Sequence, residues 1–374
     1  MTKKVAVALS GGVDSSVSAY LLKKKGYYVI ALFMYNWYNK DCLWEDMRYA
    51  MLISNKLNIP FYVLDLRKEY MKLVVNYMIN GYKKGITPNP DIICNEKIKF
   101  GLFLNKALKL NVDYIATGHY VIKKKIIKNN KIIYSLFSGK DEKKDQSYFL
   151  CRINQYQLSK SLFPLGRFTK KEVRKIALKL KFYNANKKDS QGLCFIGKIN
   201  LIDFLKKKIK NNIGDIIYIS SKKKNKKKNN NNLEYDKVYK SKIIGKHLGY
   251  YYFTIGQRKH LNISGQKKPL YLLNKHIKKN ILYVSKKKHI ELYKKVIFIK
   301  QETIHWIRNL FKNYNEKLIV MCKIRYNVKK QKALLYYLNT GILVKFYNYQ
   351  YAVTPGQFIV WYFKDELIGS GIIN

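Results

Sequence analysis

Apolar and polar positions follow two different rhythms along this chain, and the change falls near residue 213. Up to about residue 120, short apolar runs are separated by stretches of helical period, in the order strand, helix, strand. Residues 5–9 (VAVAL) read as a buried strand, 16–25 as a helix closed by Gly26, and 28–34 as a second strand. Residues 44–57 keep a helical period until Pro60, 61–66 make a third strand, 97–110 a helix and 114–117 a fourth strand. This alternation predicts an α/β domain, a Rossmann-like parallel sheet with helices on both faces, whose ligand lies at the carboxyl ends of the strands. Two loops fall there: SGGVDSS at residues 10–16 and ATGHY at 116–120.

Further on, Thr169 and Glu172 frame a capping box that opens an amphipathic helix over VRKIALKL, and Asn200 stands where it could cap LIDFLKKKI. Past residue 213 the segments GDIIYI, YYYFTIG, PLYLL, NILYVS, VIFIK, LIVMCKIRY, KALLYYL, ILVKFY and FIVWYF are short, rich in β-branched and aromatic residues, and divided by Gly, Asn or Lys. They predict an all-β half. Residues 220–232 are Lys/Asn-rich with nothing to bury, and are expected to form a disordered surface loop.

Composition adds little to this. The 374 residues allow two or three domains. A net charge of +51 argues for a polyanionic partner, nucleic acid first. The excess is mostly Lys, however, alongside abundant Asn, Ile, Tyr and Phe, which an A/T-biased genome over-encodes, so the charge is a weak signal. Cys42, Cys94, Cys151, Cys194 and Cys322 are too few and scattered for a disulfide framework, and no CxxC pair suggests structural zinc. A reducing compartment is expected. The first apolar run is too short for a signal peptide and no span suits a membrane helix, so the expectation is a soluble, cytoplasmic protein without a membrane partner.

SGGVDSS follows a strand and opens a helix, as a phosphate-cradling Walker loop does, yet it has no lysine. Gly11 and Gly12 let the backbone approach an anion, Ser10, Ser15 and Ser16 offer hydroxyls, and Asp14 is a candidate for Mg²⁺. This suits a metal-bridged pyrophosphate and attack at the α-phosphate, with adenylation of the acceptor. The loop resembles that of the PP-loop ATP pyrophosphatase superfamily. That resemblance implies ATP contacts along Ala8, Leu9, Ser10, Gly11, Gly12, Val13, Asp14 and Ser15, with Met34 and Gly118 near adenosine.

Two cysteines stand out. Pro88 and Pro90 predict a stiff extended loop around Asn89 and Asp91, which places Cys94 at the mouth of the 97–110 helix, where thiolate character is expected. Cys194, in KKDSQGLCFIG, is framed by glycines and follows Lys187 and Lys188.

With these included, the whole chain is similar to the tRNA-specific 2-thiouridylases. SGGVDSS, TPNPDIICNEKIKF, ATGHY, KDQSYFL, FPLG, KKDSQGLCFIG, YYFTIGQR, KIRYNV, AVTPGQ and GSGII follow that family's order. The resemblance implies a sulfurtransferase that uses ATP to adenylate the carbon-2 oxygen of the wobble uridine in glutamate, lysine and glutamine tRNAs. Cys194 would carry the persulfide and Cys94 would be the partner nucleophile. Asn89, Pro90 and Asp91 would meet the target base, with Asp91 a candidate for proton transfer. His119, Lys144, Asp145, Gln146, Arg325, Tyr326 and Gln357 would contact the tRNA anticodon region. The implied layout is a PP-loop domain over 1–200, a central tRNA-binding domain over 201–283 and a C-terminal β-barrel over 284–374. A relay protein or cysteine desulfurase would supply sulfur. The alternatives are a PP-loop ligase or amidotransferase, which needs no cysteine pair, and a basic RNA-binding protein without turnover.

Overall fold

In the first sheet every neighbour pair is parallel. Strands β1 (Lys4–Ala8), β2 (Tyr28–Tyr35), β3 (Phe61–Asp65) and β4 (Tyr114–Ala116), with the short Ser161–Leu162, lie in the order β3, β2, β1, β4, Ser161–Leu162. Val5 is in register with Val29 on one side and Tyr114 on the other. The chain therefore builds outward from β1, then returns to its far side, and the crevice between β1 and β4 is the switch point where such sheets bind ligands. Alternate residues of the central strands feed two cores. Ala6, Ala8 and Leu32 enter one, while Val5, Val7, Ala31 and Phe33 enter the other, as a sheet covered on both faces requires. This computed structural model describes residues 2–37, 40–128, 130–189, 201–223, 239–261, 263 and 268–374. Cys194, the capping position Asn200 and residues 224–232 of the Lys/Asn-rich segment lie outside the described residues.

Two β units follow. Strands Tyr271–His276, Ile281–Ser285, Gly214–Lys223 and Tyr239–His247 form a four-stranded sheet in that order. A larger, mainly antiparallel sheet runs from Tyr293–Lys300 to Glu366–Ile372, with Trp361 fully buried in its core. Its edge is completed from far upstream. A hairpin, Val121–Lys128 and Lys131–Ser138, pairs with the last strand through Leu136 to Leu367 and Phe137 to Glu366.

The structure corrects four expectations. Residues 220–223 continue the strand Gly214–Lys223, with Lys223 in register with Tyr239, so the loop begins later than composition suggested. Tyr250–Tyr252 is a short 3-10 turn and no strand. Its rings act as crosslinks there, with the Tyr252 hydroxyl donating to the Ile209 carbonyl at 3.1 Å and that of Tyr250 to the Lys83 carbonyl at 2.8 Å. The helix expected from 97 starts earlier, as Pro90–Ile93 continued by a π-helical stretch Cys94–Phe103 and by Leu104–Leu108. Asn89, expected in a loop, is its N-cap: Oδ1 accepts from the Ile92 amide at 3.2 Å, with Pro90 in the first position where a missing N–H costs nothing.

Candidate functional site

The helix α1 (Val13–Lys24) starts directly from the glycine loop. Gly12 is its N-cap, extended at φ −84° and ψ 158°, and offers no side chain to cover the first-turn amides. The loop is braced from within. Ser15 Oγ accepts from the Ser10 amide at 3.2 Å and donates to the Gly12 carbonyl at 3.0 Å. The buried Asn184 donates Nδ2 to the Gly11 carbonyl and to Ser16 Oγ, both at 2.9 Å. Gly11 sits at φ +73°, and a Cβ there would lie 2.1 Å from the Asp46 carbonyl oxygen, so only glycine fits. From the other side of the crevice Gly118 comes so close that a Cβ would meet the Ser15 amide at 3.0 Å.

These walls enclose a cavity of about 290 Å³. Ala8, Ser10, Gly12, Val13, Asp14, Ser15, Met34, Gly118, His119, Lys144 and Gln146 line it, so most of the expected nucleotide residues and part of the expected tRNA set converge there. Of its other charged lining, sequence reasoning named Lys187 and Lys188 only as neighbours of Cys194, and missed Lys99, Lys170, Asp46 and Asp189. Five lysines against three aspartates make the cavity cationic, as a polyphosphate requires. Lys170 is the lysine tied most directly to the loop. Its Nζ donates to Asp14 Oδ1 at 2.8 Å and Oδ2 at 2.9 Å, and lies 2.7 Å from Asp189 Oδ1. The Tyr120 hydroxyl adds a hydrogen bond to Asp14 Oδ1 at 2.7 Å. Burial alone would raise the Asp189 carboxyl, but Lys144 and Lys170 outweigh it and hold the group down at about 2. His119 is buried against Thr117, Oγ1 to Nδ1 2.8 Å, and desolvation keeps the imidazole neutral, well below its usual range.

Cys94 lies one element away, in the helical run that also sends Lys99 to the cavity wall. The expected thiolate character is not found in this conformation. Cys94 is fully buried, desolvation pushes its thiol up to about 12, and its place inside the second turn removes it from the exposed helix mouth. Asp91 is half-buried in the first turn of the same run.

Of the remaining expected tRNA residues, Arg325 and Gln357 gather around the segment that precedes Asn89, while Tyr326 and Asp145 make their contacts elsewhere. Gln357 Nε2 donates to the Thr87 carbonyl at 2.8 Å, and the Thr87 amide donates to the Pro355 carbonyl at 2.9 Å. Thr254 Oγ1 is 3.1 Å from Thr87 Oγ1, and Lys275 Nζ donates to the Gly85 carbonyl at 2.9 Å. Arg325 holds the same turn from behind, through Thr354 Oγ1 at 2.6 Å and the Ala352 carbonyl. Tyr326 lies against Phe149, ring centroids 4.4 Å apart. The Asp145 carboxylate is turned inward, accepting from the Ser147 amide at 3.1 Å and its hydroxyl at 2.9 Å, and Gln146 Oε1 accepts from the Tyr120 amide at 3.1 Å.

A parallel sheet whose switch point carries a lysine-lined anion cradle, joined to two β units that grip one of its loops, defines a nucleotide-binding α/β enzyme with appended β domains. Family comparisons agree: "tRNA methyl transferase HUP domain" matches residues 3–198, "tRNA methyl transferase PRC-barrel domain" 202–286 and "Aminomethyltransferase beta-barrel domain" 297–373. A tRNA-specific 2-thiouridylase MnmA of Karelsulcia muelleri is 55% identical over 379 residues, covering 100% of this chain and 99% of its own. That of Flavobacterium johnsoniae is 45% identical over 394 residues, with 100% of both chains covered. The chain belongs to the tRNA-specific 2-thiouridylase family. Among solved structures, a 4-thiouridine synthetase in complex with RNA and bound ATP aligns at 15% identity and a TM-score of 0.34, over 55% of this chain and 50% of its own, too remote to bear on function. Among the described residues no helix is long and apolar enough to cross a membrane.

Proposed function

We propose that this protein is a tRNA-uridine 2-sulfurtransferase that replaces the carbon-2 oxygen of the wobble uridine with sulfur at the expense of ATP. The observation that carries the reading is the cationic cavity on the SGGVDSS loop, one helical run from Cys94, in a chain whose full-length relatives bear the name 2-thiouridylase.

ATP would lie with its phosphates on the first-turn amides of α1 and its adenosine toward Met34 and Gly118. The uracil carbon-2 oxygen attacks the α-phosphorus and pyrophosphate departs, which turns that oxygen into a good leaving group. The terminal sulfur of a Cys194 persulfide then attacks carbon 2, and AMP leaves with the former oxygen. The Cys94 thiolate attacks the inner sulfur of Cys194, so that the new carbon–sulfur unit is released as the Cys94–Cys194 disulfide forms. Alternatively the thiolate frees hydrosulfide first, with the same disulfide as product. Either way a thiol reductant must reset the pair, in keeping with work in a reducing cytoplasm. A relay protein or cysteine desulfurase would load Cys194.

Magnesium suits the site through Asp14. Among the described residues its Oδ2 accepts a hydrogen bond from Lys170, which leaves an acceptor position for a hydrated ion held mainly by phosphates. The ion would neutralise charge on the departing pyrophosphate. In this reading Asn89, Pro90 and Asp91 shape the base pocket, and Asp91 handles a proton on the uracil. Lys144 and Tyr326 face RNA, while Arg325 and Gln357 act by holding the turn beneath it. The domains are taken as 1–200, 201–283 and 284–374, the last two gripping tRNA for glutamate, lysine and glutamine.

The test is product analysis. ATP incubated with the protein should give AMP and pyrophosphate only when tRNA is present. ADP and phosphate, or turnover indifferent to tRNA, would contradict the proposal.

A further inference from the structure

The glycine loop has two sides. Gly12 and Ser15 line the cavity, while the Gly11 carbonyl and the Ser16 hydroxyl are taken from behind by the side chain of Asn184. We propose that Asn184 is a positioning residue for nucleotide binding: by holding the back of the loop it aims the Gly12 amide at the phosphate chain. The inference rests on the ATP reading above and adds to it a residue that stands outside the cavity lining.

The peptide between Gly11 and Gly12 is a rigid plane whose C=O and N–H point in opposite directions. Asn184 Nδ2 donates to the Gly11 carbonyl at 2.9 Å, so the N–H at the other end of that plane is turned toward the cavity that Gly12 lines. There it stands at the start of α1, where an anion is favoured. Glycine on both sides of the plane permits its rotation, and the hydrogen bond selects one orientation. The same Nδ2 donates to Ser16 Oγ at 2.9 Å, and Ser16 gives its own proton to the Gly12 carbonyl at 3.0 Å. One side-chain amide thereby fixes both peptides that flank Gly12.

Asn184 is itself held firmly. Its neighbours Phe182 and Ala185 are buried in the core beneath α1. The Lys187 amide donates to the Asn184 carbonyl at 2.9 Å, and the Arg174 guanidinium donates to the carbonyls of Ala185 at 3.1 Å and Lys187 at 3.0 Å. The Asn184 side chain is buried, and among the described residues its Oδ1 receives no hydrogen bond. An unpaired buried acceptor costs stability, so this amide serves the orientation of the loop better than it serves the fold.

The test compares ATP with adenosine, which carries no phosphate, by calorimetry on the full-length protein. Asn184→Asp keeps the shape but presents an acceptor to the Gly11 carbonyl, and Asn184→Leu presents no polar group at all. Both variants, checked for folding by circular dichroism, should weaken ATP about tenfold or more, the worth of a hydrogen bond to a charged group, and leave adenosine within about twofold. Unchanged ATP affinity in either folded variant, or equal loss of ATP and adenosine, would overturn the inference and leave the ATP reading intact. Failure of the unmodified protein to bind ATP would remove both.

Discussion

Gln357, next to the last strands of the chain, donates its side-chain amide to the carbonyl oxygen of Thr87 at 2.8 Å, two residues before the cap of the helix that bears Cys94. The second β unit thereby fixes the segment that leads into the cap at Asn89, aided by Thr254 and Lys275 from the first. Gln357→Leu should free the Thr87 and Pro88 carbonyls at a cost of about 1 kcal/mol in loop order. The expected result is a roughly tenfold lower thiolation rate with tRNA affinity nearly unchanged. A loss confined to tRNA affinity would instead assign Gln357 a direct role in reading RNA.

Cys94 should be chemically silent at rest. With its thiol pushed up to about 12 by burial, the thiolate fraction at about pH 8 is on the order of one in ten thousand. Iodoacetamide followed by peptide mass analysis should leave Cys94, Cys151 and Cys322 unmodified in the folded protein and label all three in denaturant. Addition of substrate tRNA should raise labelling at Cys94 selectively, because the proposed chemistry needs its thiolate. Rapid labelling of Cys94 without tRNA would show that the buried arrangement is not the resting one.

The cap at Asn89 is separable from any role at the base. Asn89→Ala should cost about 1 kcal/mol of stability in denaturant unfolding, and Asn89→Ser, which keeps an accepting oxygen, should lose only a few tenths. If both substitutions abolish thiolation with equal, small effects on stability, the side chain acts on substrate and not on the helix.

Acid should loosen the cavity through Asp189. Its carboxyl is depressed from an ordinary 3.8 to about 2, because Lys144 and Lys170 outweigh burial. A depressed acid contributes stability that is present above the ordinary value and lost as pH falls through the depressed one. Stability measured from about pH 4 to pH 2 should therefore fall with a proton-uptake slope that Asp189→Asn flattens. An identical slope in the variant would mean that the lysines are not engaged with Asp189 in solution.

What the sequence disclosed was whatever is written locally. VAVAL, SGGVDSS and the Thr169–Glu172 capping box carry their structure in neighbouring residues, and each is found where its pattern predicts. The hairpin around residue 130 escaped, because Lys123, Lys124 and Lys125 mask its alternation and its partner strand starts at Glu366. The cap at Asn89 was legible in principle. Asn followed by Pro is a helix-start signal, but two prolines in three positions also read as extended chain, and burial of Ile92, Ile98 and Phe100 decided between them. The pairing of Lys170 with Asp14 could not have been picked out, since only the fold brings the two together.

The central claim is that ATP makes an oxygen leave carbon 2 of uridine so that a cysteine-borne sulfur can take its place. Its most direct measurement is mass analysis of nucleosides from tRNA incubated with the protein, ATP, magnesium and a sulfur donor, in the unmodified protein and in Cys194→Ser and Cys94→Ser. The account predicts a gain of one sulfur for one oxygen at the wobble uridine with the unmodified protein only. Unmodified uridine from the intact protein, or undiminished thiolation by both variants, would contradict it.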